Sequence, residues 1–310
     1  MEEIINKIKK LKKEKNAVIL AHNYQLPEIQ DIADYVGDSL GLSIEASKTS
    51  AKTIVFCGVR FMAETAAIMC PDKSVMMPDV SAGCPMADMI KAEDVRDLKA
   101  KHPGHIVVAY VNTSAEVKAE SDYCCTSANA VKVVEKLSAR GGSAFGGKDK
   151  NIIFIPDKYL GDYASRQTGK QMVLFNGFCP IHIKILPEHI KAARQQHPKA
   201  LVVVHPECLP EVIGMADKAV STGGMLEFAK GSPAQEFIIG TEIGIIYRLQ
   251  KENPSKKFYA ASSLAVCPNM KRITIEKVLW ALEQEETRIT VKEGIASKAK
   301  FAIDRMLELV

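Results

Sequence analysis

No apolar run in this chain of 310 residues approaches the length of about 18 residues that a membrane-spanning helix needs. The opening MEEIINKIKKLKKEK carries two glutamates and spaces its apolar residues helically. It lacks the unbroken apolar core of a secretory leader and reads as an amphipathic helix. A large charge excess is missing too: +4 is too mild to imply nucleic acid and favours small anionic ligands. Without secretory context, eight cysteines argue against a disulfide framework. They imply reduced thiols in the cytoplasm, some of them available to metal. What is left is an ordinary globular composition, 47% apolar and 25% charged, on a chain long enough for two or three domains.

Three segments share one pattern: AVILAHNYQLPEIQDIADYVGDS, HIVVAYVNTSAEVKAESDYCCTS and ALVVVHPECLPEVIGMADKAVST. Each runs through β-branched residues to an anchor (His22, Tyr110, His205) and reaches a hydroxyl 17 positions later, at Ser39, Ser127 and Thr222. A second apolar strand follows in each (TIVFCG, NIIFIPD, EFIIGT), then a helical stretch, a third strand (SVMMPD, QMVLFNG, KFYAAS) and a Cys-Pro pair. From His22 to Cys84, Tyr110 to Cys179 and His205 to Cys267 the separations are 62, 69 and 62 residues. The surplus in the middle falls at GGSAFGG, read as a flexible loop. This is an internal triplication with a period of about 90 residues.

Short apolar strands alternating with helices form parallel sheets covered on both faces. The expected fold is therefore α/β: three similar three-layer α/β/α domains with parallel sheets around a pseudo-threefold axis. The expected units are residues 1–92, 93–185 and 186–275, with C-terminal helices over 276–310 closing the fold. Such sheets bind ligands at the carboxyl ends of their strands. The anchors and the three cysteines lie at those ends, so one central site is expected.

A lone cysteine is most often a small buried hydrophobe, the reading given to Cys57, Cys70 and Cys208. Cys70-Pro71 shows that the dipeptide alone is weak; repeat position singles out Cys84, Cys179 and Cys267. Three converging thiolates can bind zinc, with His182 as a fourth ligand, or hold an iron–sulfur cluster. His182 has no counterpart in the other repeats, so an axial cluster fits the symmetry better. A three-cysteine [4Fe–4S] cluster leaves one iron open to act as a Lewis acid. His22 and His205 suit anion binding or proton transfer. Glu207, two residues past its anchor as Tyr24 and Asn112 are past theirs, is the acid/base candidate, able to change charge near neutral pH if its pKa is raised. Ser39, Ser127 and Thr222 read as helix caps, or as three anion sites if the helix N-termini face one cavity. Tyr24, Tyr110 and Asn112 add neutral hydrogen bonds. A zinc hydrolase and a non-catalytic binding protein are the alternatives.

AHNYQ, GDSL, AYVNTSAEVKA, HPEC and CPNM, with the three cysteines in register, resemble the quinolinate synthase family, the A protein of de novo NAD biosynthesis, over essentially the whole chain. The resemblance implies condensation of iminosuccinate with dihydroxyacetone phosphate to quinolinate, with loss of phosphate and two waters. It implies one oxygen-sensitive [4Fe–4S] cluster per chain, held by Cys84, Cys179 and Cys267 with one iron open. It makes His22, Ser39, Tyr110, Asn112, Ser127, His205, Glu207 and Thr222 substrate ligands and gives proton-transfer roles to Tyr24 and Glu207. An aspartate-oxidising enzyme is implied as the source of iminosuccinate. The late Cys-x-x-Cys of some members is missing here, so its regulatory disulfide is not carried over.

Overall fold

The computed structural model describes residues 1–138 and 151–309; the GGSAFGG segment lies outside the described residues. Twelve strands in these residues form three parallel sheets of four. The first comprises β1 (Ala17–His22), β2 (Tyr35–Gly37), β3 (Thr53–Cys57) and β4 (Ser74–Met76), ordered β2-β1-β3-β4. In the second, β5 (Ile106–Tyr110), β6 (Tyr123–Cys125), β7 (Ile152–Ile155) and β8 (Val173–Leu174) are ordered β6-β5-β7-β8. The third repeats the order with β9 (Leu201–Val204), β10 (Lys218–Ala219), β11 (Glu236–Gly240) and β12 (Lys257–Ala260), as β10-β9-β11-β12. The triplication read from sequence is a triplication of topology.

Burial explains the composition of the strands. β3, β5 and β7 are buried at every residue, which is why TIVFC, IVVAY and IIFI show no polar alternation. Parallel pairing of β1 with β3, β5 with β7 and β9 with β11 forces each connection to cross over through a helix, giving the α/β/α layering. The N-terminal helix Glu2–Glu14 packs against the helix Ile275–Gln284, and both rest on the first sheet. The last helix, Glu293–Glu308, covers β6 and the short helix Ala115–Ala119. No helix among the described residues is long and apolar enough to cross a membrane.

One further repeat bears on the site. Just past the inner strand of each sheet, a backbone N–H pairs with the carbonyl two residues before the cysteine: Arg60 with Ala82 (2.9 Å), Lys158 with Gly177 (2.9 Å) and Ile243 with Ala265 (3.0 Å). The three Cys-Pro loops are thereby tied to the carboxyl ends of β3, β7 and β11.

Candidate active site

The three loops have one local structure. Each cysteine precedes a single 3₁₀ turn, at Ala87–Met89, His182–Lys184 and Met270–Arg272. The carbonyl of each cysteine accepts an N–H from four residues on, Asp88, Ile183 and Lys271. Two backbone N–H groups of the turn, from residues two and three positions on, aim at each sulfur: Met86 and Ala87 at Cys84, Ile181 and His182 at Cys179, Asn269 and Met270 at Cys267. Such a nest stabilises thiolate. Burial nonetheless pushes all three thiols up, Cys84 to about 12, so any metal bound there would have to displace protons.

Repeats two and three add a buried carboxylate behind the cysteine. Glu242 Oε1 accepts the N–H of Cys267 at 3.1 Å, and the Asp157 carboxylate lies beside that of Cys179, with its Oδ2 left without a hydrogen-bond partner. These residues lie two positions past β11 and β7, where the first repeat has Val59. Glu242 is paired with Lys271 at 3.0 Å. Asp157 also caps the helix Lys158–Thr168, through bonds of 2.9 and 2.8 Å from the N–H groups of Tyr159 and Leu160.

Cys84, Cys179 and Cys267 all line one cavity of about 300 Å³. Every residue expected at the site lines it too: His22, Tyr24 and Ser39 from the first unit, Tyr110, Asn112 and Ser127 from the second, His205, Glu207 and Thr222 from the third. Cys57 and Cys208 are buried in sheet cores, and Cys70 sits under the helix Ser39–Lys48, with its thiol on the Ala46 carbonyl at 3.2 Å.

The capping expectation needs correction at all three positions: Ser127 lies three residues before the helix Ala130–Ser138 and its hydroxyl meets His205. Asp38 caps the helix Ser39–Lys48, accepting from the Gly41 N–H at 2.8 Å, and Ser221 caps Thr222–Gly231 through Gly224 N–H at 3.2 Å. Ser39 and Thr222 are first helical residues that line the cavity, and Thr222 Oγ1 accepts from Asn23 Nδ2 at 3.0 Å.

A line of close polar contacts crosses all three units, hydrogen-bonded at every step except between His182 Nδ1 and Glu207. The Tyr24 hydroxyl meets Thr241 Oγ1 at 2.5 Å, and Thr241 Oγ1 meets His182 Nε2 at 2.8 Å. His182 Nδ1 lies 2.8 Å from Glu207 Oε2, and the Tyr110 hydroxyl donates to Glu207 Oε1 at 2.5 Å. Burial raises the Glu207 carboxyl, while the neighbouring His182 and His205 and the bond from Tyr110 lower it, for a net downward shift. The shift runs opposite to the raised pKa under which Glu207 would change charge near neutral pH. Burial and the Glu207 charge push the Tyr24 and Tyr110 hydroxyls well up, so both stay protonated donors.

The histidine tautomers follow from geometry. His22 Nδ1 accepts the Tyr24 N–H at 3.1 Å, and His205 Nδ1 accepts the Glu207 N–H at 3.3 Å. Burial lowers both rings to about 3, so they are neutral and carry their proton on Nε2. His205 Nε2 lies 3.1 Å from Ser127 Oγ, to which it therefore donates.

Sequence reading missed Thr241 and Glu242, and considered His182 only as a zinc ligand. The signal was present: Gly58-Val59, Pro156-Asp157 and Thr241-Glu242 occupy equivalent positions past the inner strands, and only the third pair is wholly polar.

A shared site at the carboxyl ends of three like sheets, built on three equivalent cysteine turns and a line of buried polar groups, defines a three-unit α/β enzyme with a cysteine-lined centre. The family model described as quinolinate synthetase A protein matches residues 6–308, and the chain belongs to that family. It is 54% identical over 308 residues to the quinolinate synthase of Desulforudis audaxviator, covering 99% of each chain. To that of Methanosarcina barkeri it is 52% identical over 305 residues, 98% of this chain and 97% of the relative. To that of Dehalococcoides mccartyi it is 53% identical over 309 residues, 100% and 99% respectively.

Proposed function

We propose that this chain condenses iminosuccinate with dihydroxyacetone phosphate to quinolinate, releasing phosphate and two waters, in NAD biosynthesis. The observation that carries the reading is the convergence of three equivalent cysteine turns on one buried cavity. Family membership supports it. An aspartate-oxidising enzyme would supply iminosuccinate, and reduced thiols fit the cytoplasm.

The donor set fits a [4Fe–4S] cluster: three soft thiolates, equivalent in position and each met by two N–H groups. Cys84, Cys179 and Cys267 would hold it. When bound, it supplies a Lewis-acidic iron that no protein side chain ligates.

The chain's own residues do the rest. Substrate oxygens are anionic, and the cavity offers His22 Nε2–H and the hydroxyls of Ser39, Ser127 and Thr222 as donors, with Tyr110 and Asn112 on the second unit. Glu207, hydrogen-bonded to Tyr110, is the base. Tyr24 O–H is hydrogen-bonded to Thr241 and Thr241 to His182, whose Nδ1 lies 2.8 Å from Glu207, so a small turn of the imidazole would complete a path by which a proton lost at Tyr24 is replaced. Neutral His205 orients Ser127 and holds its Nδ1 on the Glu207 backbone, fixing that residue against the cavity wall. Burial excludes water from intermediates that would hydrolyse.

One observation favours a second reading. Cys179, His182 and Glu207 bring ligand atoms within 4.8 Å of one another, close enough for a single zinc ion. That ion would leave Cys84 and Cys267 without a role. Metal analysis of anaerobically purified protein separates the readings. The expected result is about four iron and four sulfide per chain, a brown chromophore, and quinolinate formed from the two substrates. Colourless protein with stoichiometric zinc, or quinolinate synthesis without iron, would overturn the proposal.

A further inference from the structure

We propose that Asn23 and Arg248, both outside the cavity lining, are positioning residues that fix the Thr222 hydroxyl as a donor to an anionic substrate oxygen; the assignment rests on the function proposed above. Asn23 is fully buried, and its backbone is tied to the Gly37 carbonyl at 3.0 Å. Its side chain spans two units. Arg248 Nη1, on the helix Ile245–Glu252, donates to Asn23 Oδ1 at 2.7 Å, and Asn23 Nδ2 donates to Thr222 Oγ1 at 3.0 Å.

The direction of this chain follows from elementary chemistry. An amide can be turned either way, its oxygen and nitrogen being near-isosteric. A guanidinium has donors only, so the amide oxygen must face Arg248 and the NH₂ must face Thr222. Arg248 is itself held by the Val36 carbonyl and by Glu252 Oε1 at 2.6 Å. A hydroxyl that accepts from Asn23 keeps its single proton for another acceptor. In mid-helix that proton would return to the carbonyl four residues back. Thr222 is the first residue of its helix, with no preceding turn, and it lines the cavity. The proton therefore points at the ligand, beside the N–H groups of the helix N-terminus, where an oxygen of a carboxylate or phosphate is favoured. Neither other unit copies the device: Val111 and Pro206 stand where the first has Asn23.

The test is steady-state kinetics on anaerobic, cluster-loaded protein, read as KM against kcat for each substrate. In Asn23→Asp the carboxylate accepts from Thr222, the hydroxyl turns away, and the cavity loses a donor. KM for the substrate that presents the oxygen should rise about tenfold, the scale of a hydrogen bond to a charged group, with kcat within about twofold. Arg248→Met frees the amide to turn and should raise the same KM, while Arg248→Lys keeps a donor and should restore most of it. Thr222→Val should match Asn23→Asp, and the double variant should be no worse than Thr222→Val alone, because both remove one interaction. Multiplying effects, a fall in kcat with KM unchanged, or a wild-type KM in Thr222→Val would each overturn the assignment alone. Wild-type protein that forms no quinolinate would overturn the proposed function and this assignment with it. If Asn23→Asp does not fold, the Arg248→Met/Thr222→Val pair gives the same cycle.

Discussion

The Tyr110 hydroxyl, at the end of the first strand of the second unit, donates to Glu207 Oε1 of the third at 2.5 Å. The Glu207 carboxylate is thus held on one side by a phenol, while His182 Nδ1 lies 2.8 Å away on the other. Removing the charge should stop proton transfer and leave the cavity shape. Glu207→Gln is therefore expected to lower kcat by about 10²-fold or more, the scale of a general acid/base, with iron and sulfide unchanged. Near-wild-type kcat in anaerobic, cluster-loaded variant would take Glu207 out of the mechanism.

The same experiment one bond away tests the chain. His182→Gln and Thr241→Val both cut the link between Tyr24 and Glu207. Each should lower kcat by at least about tenfold, and a variant carrying both should be little worse than either, since one path is broken once. Multiplicative losses would show two independent roles.

Cysteine substitution discriminates ligands from packing. Cys84→Ala, Cys179→Ala and Cys267→Ala should each abolish the chromophore and activity. Cys57→Ala and Cys208→Ala, which lie in sheet cores away from the cavity, should keep both while losing some thermal stability. Exposure to oxygen should inactivate the wild type, and anaerobic iron and sulfide should restore it. A full iron complement in any of the first three variants would remove that residue from the ligand set.

Acid should destabilise the fold through its buried histidines. Burial holds His22 and His205 down to about 3, so the unfolded chain takes up protons below about 6.5 that the folded chain refuses. Stability contributed by these groups is thus lost as pH falls from about 6.5 towards 3. From pH 7 to pH 5 the loss is on the order of 2 kcal/mol per histidine. Urea midpoints should fall over that range, and fall less in His22→Gln; an equal fall would mean that the imidazole is not buried neutral.

What was legible in the sequence had a local signature. Apolar runs such as TIVFC and IIFI fixed the sheets, and equal counts between anchors and cysteines exposed the repeat because insertions are confined to one loop. The His182–Glu207 contact had no such signature. Those residues are 25 apart and belong to different units, and only the meeting of three sheet ends makes them neighbours. The direction of the Glu207 shift was hidden for the same reason: its sign depends on partners contributed by other loops. Ser39 and Thr222 were read as caps because Asp38 and Ser221, one residue earlier, are equally good caps, and boundaries within one residue are not set by composition.

Gly244 shows how tightly the third unit is built against the first. A Cβ there would lie 2.6 Å from Lys271 Nζ, 2.7 Å from the Tyr24 carbonyl oxygen and 2.8 Å from Glu242 Oε2. The lysine tip can swing away. The Tyr24 carbonyl is the backbone of a cavity residue, and Glu242 is held by the N–H groups of Gly244 at 2.7 Å and Cys267 at 3.1 Å. Relief must therefore move Tyr24, the Cys267 loop or both. Gly244→Ala is expected to cost about 1–3 kcal/mol as overpacking, and to lower kcat and iron retention together. Gly294→Ala is the control. It lies in the last helix with nothing within 4 Å of its added Cβ, so the change should be neutral or stabilise by up to about 1 kcal/mol. Thermal melts and iron content of the two variants decide it: a Gly244→Ala protein with wild-type melting temperature and full iron would mean that the contact between Tyr24, Glu242 and Lys271 is loose enough to absorb a methyl group, and that Cys267 does not depend on it.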